Sequence, residues 1–164
     1  MIRDYVAADA EPVLALNEAC TPDVGPMDET KLAEFAEWAS YFRVVDVDGQ
    51  VRAMLIGLDQ NAPYSSPNFG WFVEHVRRFA YIDRIAVDES QRGLGWGPAL
   101  YKDFEIWAVG AGLPQLCAEV NIEPPNPRSV RFHEIYGFSQ LEEFEPTGSS
   151  AYRVVMLAKP VELG

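Results

Sequence analysis

Three glycines within five residues are the feature of this sequence with the clearest chemical meaning. Gly93, Gly95 and Gly97 stand in DRIAVDESQRGLGWGPAL, residues 83–100, between a predicted strand and a predicted helix. Glycine lets the backbone approach a ligand closely and adopt positive φ, and amides at a helix start bind anions. With Arg92 as an added cation, the segment predicts a cradle for a pyrophosphate, which needs several fixed donors and no side-chain base.

Two common nucleotide-binding motifs do not fit these glycines. A P-loop needs Lys-Ser or Lys-Thr after its last glycine, whereas Gly97 is followed by Pro98. A dinucleotide-binding fold needs GxGxxG after an early strand, whereas the spacing here is GxGxG after the predicted fourth strand. The sequence therefore excludes both motifs for this cradle.

The elements around the glycines predict a mixed α/β (α+β) fold. Capping residues, apolar spacing and turn signals delimit these elements. The predicted strands are 1–6, 41–47, 51–58, 79–87, 115–122, 138–144 and 152–158, and the predicted helices follow Asp9, Asp28, Gly97 and Asn126. The order β-α-α-β-β-β-α-β-α-β-β predicts one sheet with about four helices packed on it.

Residues 59–78 show no clear element in this pattern. The stretch contains Pro63, Pro67 and Gly70 among aromatic residues. A loop of this length inside a compact domain is usually functional or mobile. The sequence therefore predicts a long loop, which is either a surface loop pinned by its own aromatics or a lid on the substrate side.

Length and composition predict a single domain over residues 1–164. With 48% hydrophobic residues, the chain can build a full core and is too apolar to be disordered. No apolar run approaches the roughly 18 residues of a membrane span, and the N-terminus MIRDYVAADAEP is too acidic for a signal peptide. We therefore expect a cytoplasmic protein with no membrane partner.

Charge and cysteine content exclude further classes of protein. Thirteen Lys or Arg against 25 Asp or Glu give a net charge of −12, which disfavours nucleic acid as a partner. Cys20 and Cys117 are far apart in the chain, with no CxxC and no His at metal spacing. This pattern predicts reduced thiols and no metal site.

Two motifs resemble the signatures of the GNAT acyltransferase family. Arg92, Gly95 and Gly97 fill the fixed positions of R/Q-x-x-G-x-G/A, and the preceding IAVDES resembles the family's strand and turn. NPRSVRFHEIYGF, residues 126–138, resembles the second signature, an Asn-started helix that ends in Gly-Phe. Both motifs occur in the family's order of elements, so the resemblance covers nearly the whole chain.

The resemblance implies an acetyl-CoA-binding fold with a central mixed, mostly antiparallel sheet in which strands 4 and 5 splay apart. It places the pantetheine arm of acetyl-CoA on the backbone of the fourth strand, by strand-edge recognition, and the pyrophosphate on the glycines. The acetyl-CoA-binding residues that it implies are Ile85, Ala86, Val87, Arg92, Gly93, Leu94, Gly95, Trp96, Gly97, Asn126 and Ser129.

The sequence departs from the family pattern where many members carry a tyrosine near the CoA sulfur. That Tyr stands seven residues after the Asn that starts the last helix, and here Asn126 plus seven is His133. An imidazole can protonate the departing thiolate as a general acid, and packing in the core is the alternative role. Ser129 and Tyr136 are weaker candidates for the acid.

A second departure concerns the general base. Some members carry Glu eleven residues before the first motif residue, and this position is Tyr81 here. Asp83 lies on the same face of the strand as Tyr81, and Glu119 on the fifth strand is another candidate. Either carboxylate can accept a proton from the amine, directly or through water. An ion pair with Arg84 or Arg131 is the alternative role.

Together these residues predict acyl transfer from acetyl-CoA to an amine by direct attack, with no covalent enzyme intermediate. Cys117 is a rival nucleophile, but no His is close in sequence to activate it. A non-catalytic acyl-CoA sensor is one alternative, and an interaction module based on exposed aromatics in residues 59–79 is another. The negative net charge favours a cationic acceptor, and the sequence leaves a homodimer open.

Overall fold

The structure is a computed structural model that describes residues 1–146 and 152–164. Its described part contains seven strands and five α-helices. The strands are β1 Ile2–Asp4, β2 Tyr41–Val47, β3 Gln50–Asp59, β4 Ala80–Val87, β5 Gln115–Glu123, β6 Ser139–Phe144 and β7 Arg153–Pro160. The helices are α1 Ala10–Ala19, α2 Glu29–Trp38, α3 Pro67–His75, α4 Trp96–Gly110 and α5 Pro127–Tyr136.

The strands form one seven-stranded sheet in the order β1-β2-β3-β4-β5-β7-β6. Four registers are antiparallel, namely β1 with β2, β2 with β3, β5 with β7 and β6 with β7. The register of β4 with β5 is parallel. The predicted mixed, mostly antiparallel sheet with packed helices is therefore confirmed, with one helix more than predicted.

The chain divides into two compact units, and strand β4 contributes residues to both. The first unit consists of Met1–Leu58 and Ile82–Trp107, and the second of Asp59–Tyr81 and Ala108–Gly164. The three glycines of the predicted cradle belong to the first unit. Helices α3 and α5 belong to the second.

Asp48-Gly49 between two strand-forming runs predicts a hairpin in the first unit, and the structure confirms it. Asp48 and Gly49 have φ of 53° and 79°, and Val47 pairs with Gln50 across them. Positive φ at both central residues gives the turn a twist that matches the flanking strands.

Helix α4 packs against strand β3 at a position that only glycine can occupy. A Cβ atom at Gly57 would lie 2.3 Å from Phe104 Cε2, far inside van der Waals contact. Phe104 is fully buried and meets the Tyr41 ring edge-on, with 5.0 Å between the ring centroids. This packing fixes the position of helix α4, which begins directly after Gly93 and Gly95.

Of the two aspartates predicted to cap helices in the first unit, one caps its helix and the other does not. Asp28 caps α2 as predicted, because its carboxylate accepts a hydrogen bond from Lys31 N at 2.8 Å. The prediction that Asp9 caps α1 is wrong, since its side chain makes no capping bond there. It accepts from Val6 N at 2.9 Å and pairs with Arg3 at 2.8 Å. The nearby cation and the preceding turn hold this carboxylate instead.

The predicted loop over residues 59–78 is wrong, because helix α3 lies within it. Ser66 is the N-cap residue and accepts a hydrogen bond from Phe69 N, and Pro67 occupies the first turn. Serine before proline is a recognised helix start. Phe69 and Phe72, three residues apart, are 2% and 0% exposed. The aromatics of this segment are therefore core residues of a helix.

Helix α5 begins and ends at the predicted residues. Asn126 accepts a hydrogen bond from Ser129 N at 3.3 Å, and Pro127 is the first helical residue. Gly137 follows the helix with a φ of 114°, and its N–H donates to His133 O at 3.1 Å. This end is the αL cap that glycine favours.

Candidate functional site

The glycine segment, residues 93–97, leads into helix α4, which begins two residues earlier than predicted. Gly93 and Gly95 have φ of 77° and 90°, a conformation that favours glycine. The Gly95 carbonyl accepts a hydrogen bond from Ala99 N at 3.1 Å. Gly97 lies inside the first helical turn and needs no positive φ.

The glycine segment presents backbone donors and open space. No backbone carbonyl among the described residues accepts a hydrogen bond from the N–H groups of residues 93–95. A Cβ atom at any of the three glycines would meet no atom within 4 Å. The Arg92 N–H, by contrast, donates to Glu89 O at 3.3 Å, and its Nε to Val87 O at 3.4 Å. Of the predicted anion-binding amides, that of Arg92 is therefore already hydrogen-bonded within the protein.

Strand β4 carries the predicted pantetheine-binding residues 85–87, which are buried or half-buried. Its register with β5 consists of Ala80 with Leu116 and Tyr81 with Cys117. These are two of the eight residues of β4. The register of β4 with β5 is therefore short.

A tyrosine, a carboxylate and an amide meet in the second unit. Tyr81 Oη donates to Glu119 Oε1 at 2.7 Å, and Asn68 Nδ2 lies 3.2 Å from the same oxygen. Tyr81 is fully buried, and its ring lies 5.2 Å and 5.6 Å from the rings of Phe69 and Phe72. The structure thus brings the predicted residues Tyr81 and Glu119 together.

Asn68 is a member of this cluster that the sequence pattern did not reveal. It lies on α3, in the segment predicted as a loop, and it is 9% exposed. The Ser66-Pro67 helix start was the available signal, because it places Asn68 in the first turn with the buried aromatics. That signal does not indicate which strand the first turn of α3 packs against.

Tyr152 and Cys117 lie within the electrostatic influence of Glu119. Burial and the charge of Glu119 raise the pKa of the Tyr152 phenol, whereas a hydrogen bond with Asn68 lowers it. Burial, with a smaller contribution from Glu119, raises the pKa of the Cys117 thiol far above its usual value. A thiol that stays protonated is a poor nucleophile, so the rival role of Cys117 loses support.

Asp83 is held in an ion pair in the first unit. Arg84 Nε lies 2.8 Å from Asp83 Oδ2, and both side chains are 5% exposed. Arg84 also donates to Asn17 Oδ1 at 2.9 Å and to Gly25 O at 2.8 Å. Arg84 occupies Oδ2 and offsets the charge of the carboxylate, which weakens its attraction for a further cation. The observed ion pair is the alternative role stated for Asp83, and it favours Glu119 as the base.

His133 is buried in α5 among aromatic rings. It is 4% exposed, and the rings of Phe132 and Phe138 lie edge-on to it at 5.4 Å and 5.1 Å. Its Nδ1 lies 2.7 Å from Ser129 O, and because a carbonyl only accepts, Nδ1 carries the proton. Burial lowers the pKa of the imidazole. A neutral ring held in this way favours packing over acid catalysis.

The described residues contain neither a membrane-spanning helix nor a cluster of metal ligands. None of their helices is long and apolar enough to cross a membrane. They contain no group of three or more His, Cys, Asp or Glu side chains that could hold a metal ion. Cys20 and Cys117 are both buried free thiols.

Comparisons with known proteins agree with this geometry. A family model described as the acetyltransferase (GNAT) family matches residues 10–138. No curated protein sequence matches the chain significantly. Among solved structures, Ard1 from Thermoplasma volcanium is 22% identical with a TM-score of 0.79, over 99% of this chain and 97% of its own.

Two further solved structures have the same fold. Naa20 from Chaetomium thermophilum, in complex with a bisubstrate analogue, is 21% identical with a TM-score of 0.77, over 99% of this chain and 87% of its own. A ribosomal-protein-alanine N-acetyltransferase from Brucella melitensis is 20% identical with a TM-score of 0.73, over 98% and 99%. Since the family model covers most of the sequence, the chain belongs to the GNAT acetyltransferase family.

Proposed function

We propose that this protein is an acetyl-CoA-dependent N-acetyltransferase in which the amine attacks the acetyl group directly. The glycine segment, in a chain of the GNAT family, is the observation that carries the proposal. The N–H groups of residues 93–95 have no backbone acceptor among the described residues, and the space beside the glycines is open. Both features suit a pyrophosphate, which needs fixed donors and close backbone approach.

The proposed acetyl-CoA-binding residues are the strand segment 85–87 and the glycine segment, as the family resemblance implies. Arg92 adds the positive charge of its guanidinium, although its amide already donates to Glu89 O. Asn126 and Ser129 form the hydrogen bond that caps α5. This bond uses the Asn126 side-chain oxygen and the Ser129 backbone N–H, so the ligand contacts proposed for these residues fall to the Asn126 amide nitrogen and the Ser129 hydroxyl.

The acceptor must lose protons for the reaction to balance. When bound, acetyl-CoA supplies an acetyl group activated as a thioester. An alkylammonium that becomes an amide releases two protons, of which one ends on the CoA thiol and the other on a base or on water. We assign the role of base to Glu119, because a carboxylate can accept a proton directly or through one water.

Tyr81 orients this carboxylate. Its hydroxyl donates to Glu119 Oε1 at 2.7 Å, and its ring is fixed against Phe69 and Phe72. A phenol alone is a poor base near neutral pH. Since Tyr81 occupies the position where some family members carry Glu, strand β5 supplies the carboxylate in this protein.

Two alternative functions lose support from the same observations. The sensor hypothesis rests on the missing family Tyr and Glu, and Glu119 can replace the second of these. The interaction-module hypothesis rests on exposed aromatics in residues 59–79, and this premise is wrong. Four of these aromatics are at most 8% exposed, namely Phe69, Trp71, Phe72 and Phe79.

Thiol release from acetyl-CoA tests the proposal. The protein is incubated with acetyl-CoA and, separately, with spermidine, kanamycin, lysine methyl ester and a tetrapeptide that has a free α-amine. We expect thiol release with at least one amine and, by mass spectrometry, a product that has gained one acetyl group. Binding of acetyl-CoA without thiol release for any amine would support the sensor and overturn the proposal.

A further inference from the structure

The second unit contains a cavity that the proposed chemistry does not use, here called the α3–β6 cavity. Its volume of about 500 Å³ is typical of ligand pockets, which measure roughly 300–1,000 Å³. It is lined by the end of α3, the two residues after it, the first residue of β5 and two residues of β6. The lining residues His75, Arg77, Leu141 and Glu142 are exposed, so a ligand can enter from solvent.

The α3–β6 cavity is separate from the proposed base. Gln115, which lines it, stands four residues before Glu119 on β5. A strand rises about 3.3 Å per residue, so the two residues lie about 13 Å apart along the strand. Neither Glu119 nor its partners Tyr81 and Asn68 line the cavity. A ligand bound there therefore occupies a second site.

A β-bulge in β6 directs two consecutive side chains to the α3–β6 cavity. Gln140 is opposite Leu157 and Glu142 is opposite Met156, so Leu141 is the extra residue in the register with β7. In a regular strand, consecutive side chains point to opposite faces, yet Leu141 and Glu142 both line the cavity. Bulges re-aim side chains in this way beside functional sites.

Two opposite charges line the cavity without pairing. The Arg77 guanidinium and the Glu142 carboxylate form no ion pair with each other or with any other described residue. Gln115 Nε2 donates to Arg77 O at 2.9 Å, which fixes the backbone that carries the guanidinium and leaves Gln115 Oε1 as an acceptor. A cation and an anion held apart on one cavity wall match a ligand that carries both charges.

The rest of the lining is aromatic or apolar. The rings of Trp71 and His75 stack with their centroids 4.2 Å apart and their planes within 11°. His75 Nδ1 lies 2.8 Å from Trp71 O, and because a carbonyl only accepts, Nδ1 donates and the ring orientation is fixed. Leu141 is 47% exposed, and Val76 is half-buried. These side chains offer a surface for an apolar or aromatic group.

We propose that the α3–β6 cavity binds a free α-amino acid with an apolar or aromatic side chain, at a site additional to those of acetyl-CoA and the acceptor. The ligand carboxylate pairs with Arg77, and its ammonium binds Glu142 and Gln115 Oε1. Its side chain packs on His75 and Leu141. The inference does not depend on acetyl transfer, because each of these contacts is to the cavity wall.

Isothermal calorimetry on the full chain, without acetyl-CoA, tests this site. L-phenylalanine and L-leucine carry all three groups, whereas phenylpropionate lacks the ammonium, phenylethylamine lacks the carboxylate and glycine lacks the side chain. Each is titrated into the wild type, Arg77→Gln and Glu142→Gln. Arg131→Gln and Glu74→Gln are the matched controls, since each removes an exposed charge of the second unit that does not line the cavity.

We expect the wild type to bind L-phenylalanine or L-leucine more tightly than the three incomplete ligands. Loss of one charge, from ligand or protein, should weaken binding about tenfold, the effect of one hydrogen bond to a charged group. Arg77→Gln should weaken only the ligands that have a carboxylate, and Glu142→Gln only those that have an ammonium. A variant that merely folded poorly would lose all ligands alike. Both control variants should bind as the wild type does.

Two outcomes would overturn the inference. One is that neither amino acid binds the wild type at about 10 mM, where a ligand with a millimolar Kd is mostly bound. The other is binding that Arg77→Gln and Glu142→Gln both retain, and its loss in Glu119→Gln would then place the amino acid at the proposed acceptor site. Thiol release measures acetyl transfer separately, so either outcome leaves the proposed function standing.

Discussion

At the scale of single residues, Glu119 is the side chain on which the proposed chemistry depends most. Glu119→Gln keeps the shape and an oxygen for the Tyr81 hydroxyl, but it removes the proton acceptor. We expect kcat to fall roughly 10²–10⁴-fold, the usual contribution of a general base, with acetyl-CoA affinity unchanged. Thiol release and calorimetry measure the two quantities.

The control for this change is on the same strand. Glu123→Gln removes an exposed carboxylate from the end of β5 and should leave kcat as it is. If Glu119→Gln retains the wild-type kcat while chemistry limits the rate, Glu119 is not the base. The ion-paired Asp83 would then be the next carboxylate to change.

His133 gives a second prediction at this scale, in which its buried, neutral state affects stability. Because burial lowers its folded pKa, the unfolded imidazole takes up a proton at higher pH than the folded one. The contribution of His133 to stability is complete above the unfolded pKa of about 6.5 and declines as the pH falls below it. We expect His133→Phe to weaken this loss of unfolding free energy between pH 7 and pH 5, as measured by denaturant titration.

The same variant separates packing from acid catalysis. A packing role leaves kcat of His133→Phe within about threefold of the wild type, whereas the loss of a general acid costs about 10²-fold or more. A large fall in kcat with unchanged acetyl-CoA affinity would restore His133 as the acid that the sequence suggested.

At the scale of elements, the start of α4 is the part that the proposed cosubstrate needs. A side chain at Gly97 would extend from the first helical turn into space that is open in the structure. We expect Gly97→Val to weaken acetyl-CoA binding about tenfold or more, the effect of losing at least one hydrogen bond to a charged group. Isothermal calorimetry measures this affinity.

Gly110 provides a control within the same helix. It is the last residue of α4, and a Cβ atom there would also meet open space. Gly110→Val should therefore bind acetyl-CoA as the wild type does. Equal affinities for the two variants would place the pyrophosphate away from the glycine segment.

At the scale of the whole molecule, the net charge of −12 gives a prediction about association with the acceptor. Long-range attraction speeds the encounter with a cation and is screened by salt. We expect kcat/KM for trivalent spermidine to fall as NaCl rises from 20 to about 300 mM, a range over which the Debye length shortens severalfold. A monovalent amine should show a weaker dependence, and equal slopes for the two would contradict this steering.

Much of the fold follows from local signals that the structure confirms. The Asp48-Gly49 hairpin, the Asp28 cap of α2 and the Asn126 start of α5 each depend on residues within a few positions in the chain. Helix α3 escaped prediction because proline and glycine near its aromatics are also typical of loops. The prediction that Asp9 caps α1 failed because the Arg3 guanidinium binds the Asp9 carboxylate, which then makes no hydrogen bond to the first N–H groups of α1.

The sequence by itself determined the family, the glycine segment and the set of candidate residues, because spacing within one strand or helix is fixed by local geometry. Only the tertiary structure decided which candidates meet. It joined Tyr81 to Glu119, added Asn68 and Tyr152 to them, and tied Asp83 to Arg84. These contacts link residues from separate elements, and hydrogen bonds of this kind depend on packing that no local pattern encodes.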